Sequence, residues 1–203
     1  IFFIYRNPTM STPPDSLNSY FLDLSGPIPD DLATWNTSHI TDMTWAFKEA
    51  AAFNQDIGDW DTSSVEGEDG EGGMQNMFKG ATSFNQDISE WDTPKVTNME
   101  AMFENATAFD QNLGNLDISK VTNMEAMLDG SGLSTENFDA TLIGWAAQLL
   151  KMVAADRPVI DNLGAEGLTF SAASADARAE LEAAGWILEG TLPTLANGNV
   201  PDA

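Results

Sequence analysis

The chain has no cysteine, one histidine, two tyrosines and only eight lysines and arginines among its 203 residues. Without cysteine there is no disulfide, no zinc-thiolate site and no thiol nucleophile. His39 stands alone, so no serine–histidine–aspartate relay and no histidine-based metal site can be composed without it. Its place beside Ser38, at a variable position, reads as a solvent-facing residue. The scarcity of cations bears on partners: eight basic against 32 acidic residues give a net charge of −24. Nucleic acid is therefore not an expected partner, because phosphate contacts need Lys and Arg. The same sign opposes anionic membrane surfaces. No run approaches the roughly 18 apolar residues of a spanning helix, so membrane insertion is not expected either. Ile1 to Tyr5 (IFFIY) is too short for the core of a signal peptide. It reads as a remnant of one or as the end of a preceding domain, with Met10 an equally acceptable start.

Apolar content of 42%, with six Trp and eleven Phe, is enough for a core and argues against a disordered chain. The acidity has two readings. It can keep the protein soluble in salty or calcium-rich surroundings, where self-repulsion is screened. Alternatively the acids serve a specific cation or a basic partner.

The organising feature is an internal repeat. WDTPKVTNMEAMFENATAFDQNLGN (91–115) is preceded by copies that start at Trp60 and Trp35 and followed by a decayed one from Leu116 (LDISKVTNMEAMLDG). Trp35 to Trp60 and Trp91 to Leu116 are both 25 residues; Trp60 to Trp91 is 31, because six residues are inserted after Val65. A fixed period of this length predicts stacked units, none of which can bury its own apolar face. The apolar positions recur in register as Trp35/Trp60/Trp91/Leu116, Ile40/Val65/Val96/Val121, Met43/Met74/Met99/Met124, Phe47/Phe78/Phe103/Leu128, Phe53/Phe84/Phe109 and Ile57/Ile88/Leu113. Spacing inside a unit fits neither helix nor strand for long, so each coil must turn corners. The expectation is a short strand near Asp87–Asp92, an extended piece near Val96–Met99 and a helical turn over Met102–Asn105.

Four segments follow from this. Residues 1–20 are an irregular lead-in rich in Pro and Ser. Residues 21–132 are the repeat stack, with a first capping strand from Phe21 within an N-terminal cap at 21–34 and an acidic, Gly-rich insertion at 66–73. That insertion lacks the spacing of a calcium loop. Residues 133–190 form a helix-and-strand cap. There Ser134 is the N-cap of a helix reaching about Leu150, and Phe138, Leu142, Trp145 and Leu149 form its apolar stripe. Short strands are expected at Pro158–Ile160, Leu168–Phe170 and Trp186–Leu188, with a second helix over Ala173–Ala184 stopped by Gly185. Residues 191–203 are a linker or tail.

The unit W-D-T-S-x-V-T-N-M-x-x-M-F-x-G-A-T-S-F-N-Q-D-I resembles the BspA-type leucine-rich-repeat surface proteins over about Ile28 to Gly130. The segments Leu133–Gln148 and Gly167–Trp186 resemble the closing part of such arrays. The resemblance implies an α/β solenoid: a short right-handed leucine-rich-repeat-like stack of about four coils with a C-terminal helix/strand cap. It also implies an extracellular or cell-surface location, a strand-lined face for adhesion, and no enzymatic activity or defined ligand residues.

Two repeated polar patterns have structural explanations. Thr-Asn/Asp-Met (41–43, 97–99, 122–124) and Asn-Gln-Asp (54–56, 85–87) suit side-chain ladders at tight corners. The Thr37, Thr62, Thr93 column reads as a corner device, or alternatively as a flat ice-binding face. Asp59, Asp61, Glu90, Asp92 and Asp117 stack into an acidic column flanking Trp60 and Trp91. Such a column can be a solvated face, a calcium site or a contact for a basic or sugar-bearing surface. Glycoside hydrolysis needs one carboxyl held neutral in an apolar cleft, which a solvated column does not provide. The sequons at Asn36 and Asn105 are candidate glycosylation acceptors. The expected function is therefore non-catalytic binding to a protein or glycan surface, without a cofactor unless calcium. The alternative is a structural subunit that packs against copies of itself in a filament or sheath.

Deleting Glu66–Gly72 is expected to leave cooperative thermal unfolding intact, as followed by circular dichroism. Loss of the transition would mean that the insertion is packed.

Overall fold

A computed structural model describes residues 16–22, 30–66 and 73–190. Most of the expected lead-in, the remainder of the first capping strand, residues 67–72 of the acidic insertion and the 191–203 tail lie outside the described residues.

The successive units do lie against one another, but they are not built from strands. In each unit the segment from the recurring Met (Met43, Met74, Met99 and Met124) onward winds as consecutive turns. Alternate N–H groups leave the coil and donate to the next one. Met43, Trp45, Phe47 and Glu49 donate to Gly73, Gln75, Met77 and Lys79, and Met99, Ala101, Phe103 and Asn105 donate to Asn123, Glu125, Met127 and Asp129, all at 2.7–2.9 Å. The intervening N–H groups stay local: Ala46, Lys48, Met102 and Glu104 donate three residues back at 3.1–3.2 Å. A left-handed residue recurs through these turns, at Trp45 and Glu49, Asn76 and Gly80, Ala101 and Asn105, and Ala126 and Gly130, with φ between +51° and +71°.

This geometry overturns the expected α/β solenoid of leucine-rich-repeat coils. A strand requires extended backbone on every residue, and here a residue in the left-handed region interrupts extension about every four positions. Among the described residues there are two α-helices, three single-turn 3-10 helices and no strand. Isolated parallel bridges occur among the described residues, at Gly73–Asn98, Asn98–Asn123, Met124–Leu163 and Leu163–Leu188. The strands expected at Asp87–Asp92, Pro158–Ile160, Leu168–Phe170 and Trp186–Leu188 are turns, isolated bridges or irregular segments instead, the extended piece expected at Val96–Met99 carries a single bridge at Asn98, and Met102–Asn105 is turn. The C-terminal cap thus contributes helices but no strands.

The core is one column of side chains running the length of the stack. Two files of phenyl rings stack face to face along it. Phe21, Phe47, Phe78 and Phe103 follow at 4.9, 5.5 and 5.5 Å. Phe53, Phe84 and Phe109 run beside them at 5.5 and 5.9 Å. The indoles tie coils together at the opposite corner. Trp60 Nε1 donates to the Leu32 carbonyl at 3.1 Å and Trp91 Nε1 to the Ile57 carbonyl at 3.0 Å. A buried indole N–H without an acceptor would be costly, so this bond fixes the register as well as the burial.

Helix α1 (Thr135–Lys151) closes the stack. Ser134 is its N-cap, accepting from the Asn137 N–H, and Phe138, Leu142, Trp145 and Leu149 are buried, as the stripe requires. Trp145 takes the place that a further repeat's Trp would hold, donating to the Leu113 carbonyl at 3.0 Å. Gly144 permits the approach: a Cβ there would lie 2.5 Å from the Gly114 Cα. Helix α2 (Ala175–Ala183) packs on α1 and is preceded by the 3-10 turn Ala172–Ser174. It ends at Gly185, whose φ of +93° only glycine adopts readily. The buried Asp139 joins the two layers by accepting from the Ser171 N–H and from the Ser171 and Ser174 hydroxyls.

Trp91→Ala is expected to destabilise the chain by about 3–5 kcal/mol. Trp91→Phe keeps most of the packing but orphans the Ile57 carbonyl, with an expected loss of about 1–3 kcal/mol. Urea denaturation measures both; an unchanged midpoint for Trp91→Ala would contradict a buried, register-setting indole.

Candidate functional site

Four of the five acids in the column come together. Asp59, Asp61, Glu90 and Asp92 line an open cleft of about 530 Å³ with Gly58, Trp60, Thr62 and Ser63. All four carboxylate residues are exposed, whereas Trp60 is buried beneath them. Asp117, the fifth, does not line the cleft; it is half-buried and its Oδ1 accepts from the Ser119 N–H at 2.8 Å.

The local chemistry explains why acids recur here. At this corner the residue after Trp35, Trp60 and Leu116 accepts from the backbone N–H two residues on, the turn that Asx side chains favour. Asn36 does so with Ser38, Asp61 with Ser63 and Asp117 with Ser119. The Ser63 hydroxyl adds a second bond of 2.6 Å to Asp61 Oδ1. That hydroxyl bond, then the Ser63 N–H, holds the Asp61 carboxyl below its ordinary range against a smaller effect of burial. Asp92 cannot repeat the turn bond, because its second neighbour is Pro94, which has no N–H. The next corner works in the same way, with Asp56, Asp87 and Asn112 accepting from Gly58, Ser89 and Gly114. Bonds from the Ser89 N–H and then its hydroxyl hold Asp87 below its ordinary range as well.

The threonine column is internal. Thr37, Thr62 and Thr93 are 2% exposed or less. Their hydroxyls donate to the carbonyls of Asp61, Asp92 and Asp117 in the next coil at 3.0, 2.7 and 2.9 Å. The corner reading of these residues therefore holds, and a flat threonine face for ice is overturned. The Thr-Asn/Asp-Met corners behave partly as expected. Asp42, Asn98 and Asn123 accept from Thr44, Glu100 and Glu125 in their own coil. Their links between coils run to side chains rather than backbone, Asn18 to Asp42 and Asn123 to Glu100.

A third polar file escaped the sequence reading at its far end. Asn54 Oδ1 accepts from the Asn85 N–H and the Gln86 amide, and Asn85 Oδ1 from the Asp110 N–H and the Gln111 amide. Asp110 Oδ1 then takes the Ser134 N–H, the Ser134 hydroxyl and the Asn137 amide at 2.7–2.8 Å. The repeat ladder therefore runs into the N-cap of α1. Burial raises the Asp110 carboxyl, but the bonds from Ser134 and Asn137 outweigh it and leave the group below its ordinary range. The signal was present in the sequence: Asp110-Gln111-Asn112 stands in register with the two Asn-Gln-Asp triplets.

His39 is exposed, as are Asn36 and Asn105 of the two sequons. Among the described residues no three His, Asp or Glu side chains gather closely enough to hold a metal ion, so the calcium reading has no such cluster beneath it. Among the described residues no helix is long and apolar enough to cross a membrane.

The repeats and the first part of α1 match a family model described as "Mycoplasma protein of unknown function, DUF285" over residues 15–145. The chain belongs to the DUF285 family. The match is consistent with the BspA-type resemblance of its repeat unit. Searches of curated proteins and of solved structures find no match. Within this DUF285 chain the family match covers both the acidic cleft and the ladder that ends at Asp110.

Asp110→Ala is expected to cost about 1.5–3 kcal/mol, the range for hydrogen bonds to a charged group. Asp110→Asn keeps an acceptor, as Asn85 does one coil earlier, and loses less. Because the Asp110 carboxyl is lowered in the folded state, its stabilisation is complete above its ordinary value of 3.8 and is lost as pH falls through the lower folded value. Urea midpoints measured at neutral pH and near pH 3 should therefore converge for wild type and Asp110→Asn. A constant difference would contradict the ionised cap bond.

Proposed function

We propose that the chain is a non-catalytic binding module of a cell-surface or secreted protein, which meets a protein or glycan surface through the acidic cleft. The observation that supports this is the gathering of Asp59, Asp61, Glu90 and Asp92 around one open cleft above a hydrogen-bonded corner. Turn bonds keep Asp61 in its ionised form, whereas glycoside cleavage needs a carboxyl held neutral. A solvated set of negative charges is suited to steering and registering a basic or hydroxyl-rich surface. The BspA-type resemblance of the repeats favours the same location and use.

A structural subunit is the second reading, and one observation favours it. Ile143, Leu150, Val153, Val159 and Ile187 are 45–70% exposed on the C-terminal cap. Exposed apolar side chains of this size are what a neighbouring copy would cover.

Light scattering across a concentration series, with calcium and with chelator, separates the two readings. A monomer throughout, together with capture on protein or glycan arrays, is expected for the binding module. Asp59→Asn/Glu90→Gln/Asp92→Asn should then reduce that capture about tenfold or more at low salt, and less at high salt. Growth into oligomers that Ile143→Ser/Leu150→Ser abolishes would replace the binding reading with assembly.

A further inference from the structure

Trp45 is placed as no other tryptophan in this chain. The other five are 6% exposed or less, and each sits in the core; Trp45 is 37% exposed. It occupies a coil position whose counterparts are Ser19, Asn76, Ala101 and Ala126, all five with φ between +51° and +57°. That conformation suits Asn or Gly and disfavours bulky side chains. The fold does not ask for an indole here, since the bond of this position to the next coil is made by the backbone, Trp45 N–H to the Gln75 carbonyl at 2.9 Å. A bulky aromatic kept in a disfavoured conformation, with more than a third of its surface exposed, points to a contact outside the chain.

The surroundings say what kind. Lys48 Nζ lies 5.9 Å from the ring centroid, so the ring already attracts a cation from one side. Glu49 is exposed, with its carboxylate lying against Gly80 of the next coil. Leu22 is 44% exposed, and the bond from Phe21 N–H to the Ala46 carbonyl sets it in register with Lys48. An exposed indole is a receptor for an organic cation. The chain's −24 charge draws basic surfaces and repels a second copy of itself.

We propose that Trp45 is the anchor for a basic protein partner, taking an Arg or Lys side chain of that partner on the exposed part of its indole. This rests on the reading of the chain as a binding module, but none of the residues concerned lines the acidic cleft.

The test uses the full chain and fluorescein-labelled hexaarginine, with binding followed by anisotropy at several salt concentrations. Trp45→Ala should weaken binding about 3- to 30-fold at every salt concentration, displacing the salt plot in parallel, and Trp45→Phe should lie between. Its melting temperature should not fall, because Ala101 and Ala126 occupy the same position in later coils. Superposed wild-type and Trp45→Ala curves would overturn the proposal, and so would a melting temperature lowered by several degrees. Binding of maltohexaose or cellohexaose lost in Trp45→Ala, with hexaarginine unaffected, would make the ring a sugar platform instead. Self-association lost in the same variant would place the ring between copies. The Asp59/Glu90/Asp92 variant reads the cleft separately, so the anchor and the cleft can fail independently.

Discussion

The backbone hydrogen bond that passes from one coil to the next at every second residue is the constraint on which the structure depends. Met43, Trp45, Phe47 and Glu49 each direct an N–H to the following coil, and the residues between them fold theirs back locally. This division satisfies the donors of a segment that is neither helix nor sheet, as a buried backbone requires. It also forces some residues into the left-handed region, because consecutive turns with outward N–H groups cannot be made from right-handed residues alone. Once that bond pattern is set, the phenyl files, the indole bonds and the threonine hydroxyls fall at fixed heights along the stack.

Polar side chains do the joining that strand ladders do elsewhere. Three threonine hydroxyls reach the next coil's carbonyls, and the Asn54, Asn85, Asp110 file continues the same device on another corner. Its last member is charged, where the earlier two are amides. The charge suits its position, since three donors converge there on one oxygen at the N-terminus of α1, where a negative group is also favoured by the helix dipole. The cap is thus bonded to the repeats through the same ladder that bonds the repeats to one another.

Acidity in this chain consequently has two parts that composition cannot separate. Asp56, Asp61, Asp87 and Asp117 close turns, and an amide serves equally well at Asn36 and Asn112. Asp59, Glu90 and Asp92 are exposed around the cleft, and no bond of that turn accounts for them. The excess of acid over amide at interchangeable positions is what leaves the surface strongly negative and gives the cleft its character.

Much of this was legible along the chain. Period, unit boundaries, core positions and the capping helix follow from local identity: Trp, Phe and Met recur at fixed intervals, and Ser134, Asn137 and an apolar stripe announce α1. Those signals depend only on which side chains avoid water and which cap a helix. The conformation of the coil was not legible, and strands were expected where turns occur. Ala101, Ala126 and Trp45 carry no left-handed preference of their own; the bonds to neighbouring coils hold them there. Nor did sequence distinguish Asp61, which closes a turn, from Asp59, which does not. Sequence by itself determined what is buried and how often it repeats, because burial is a property of each side chain. Only the tertiary structure decided how the backbone turns and which acids gather, because both depend on donors and carbonyls about 25 residues away.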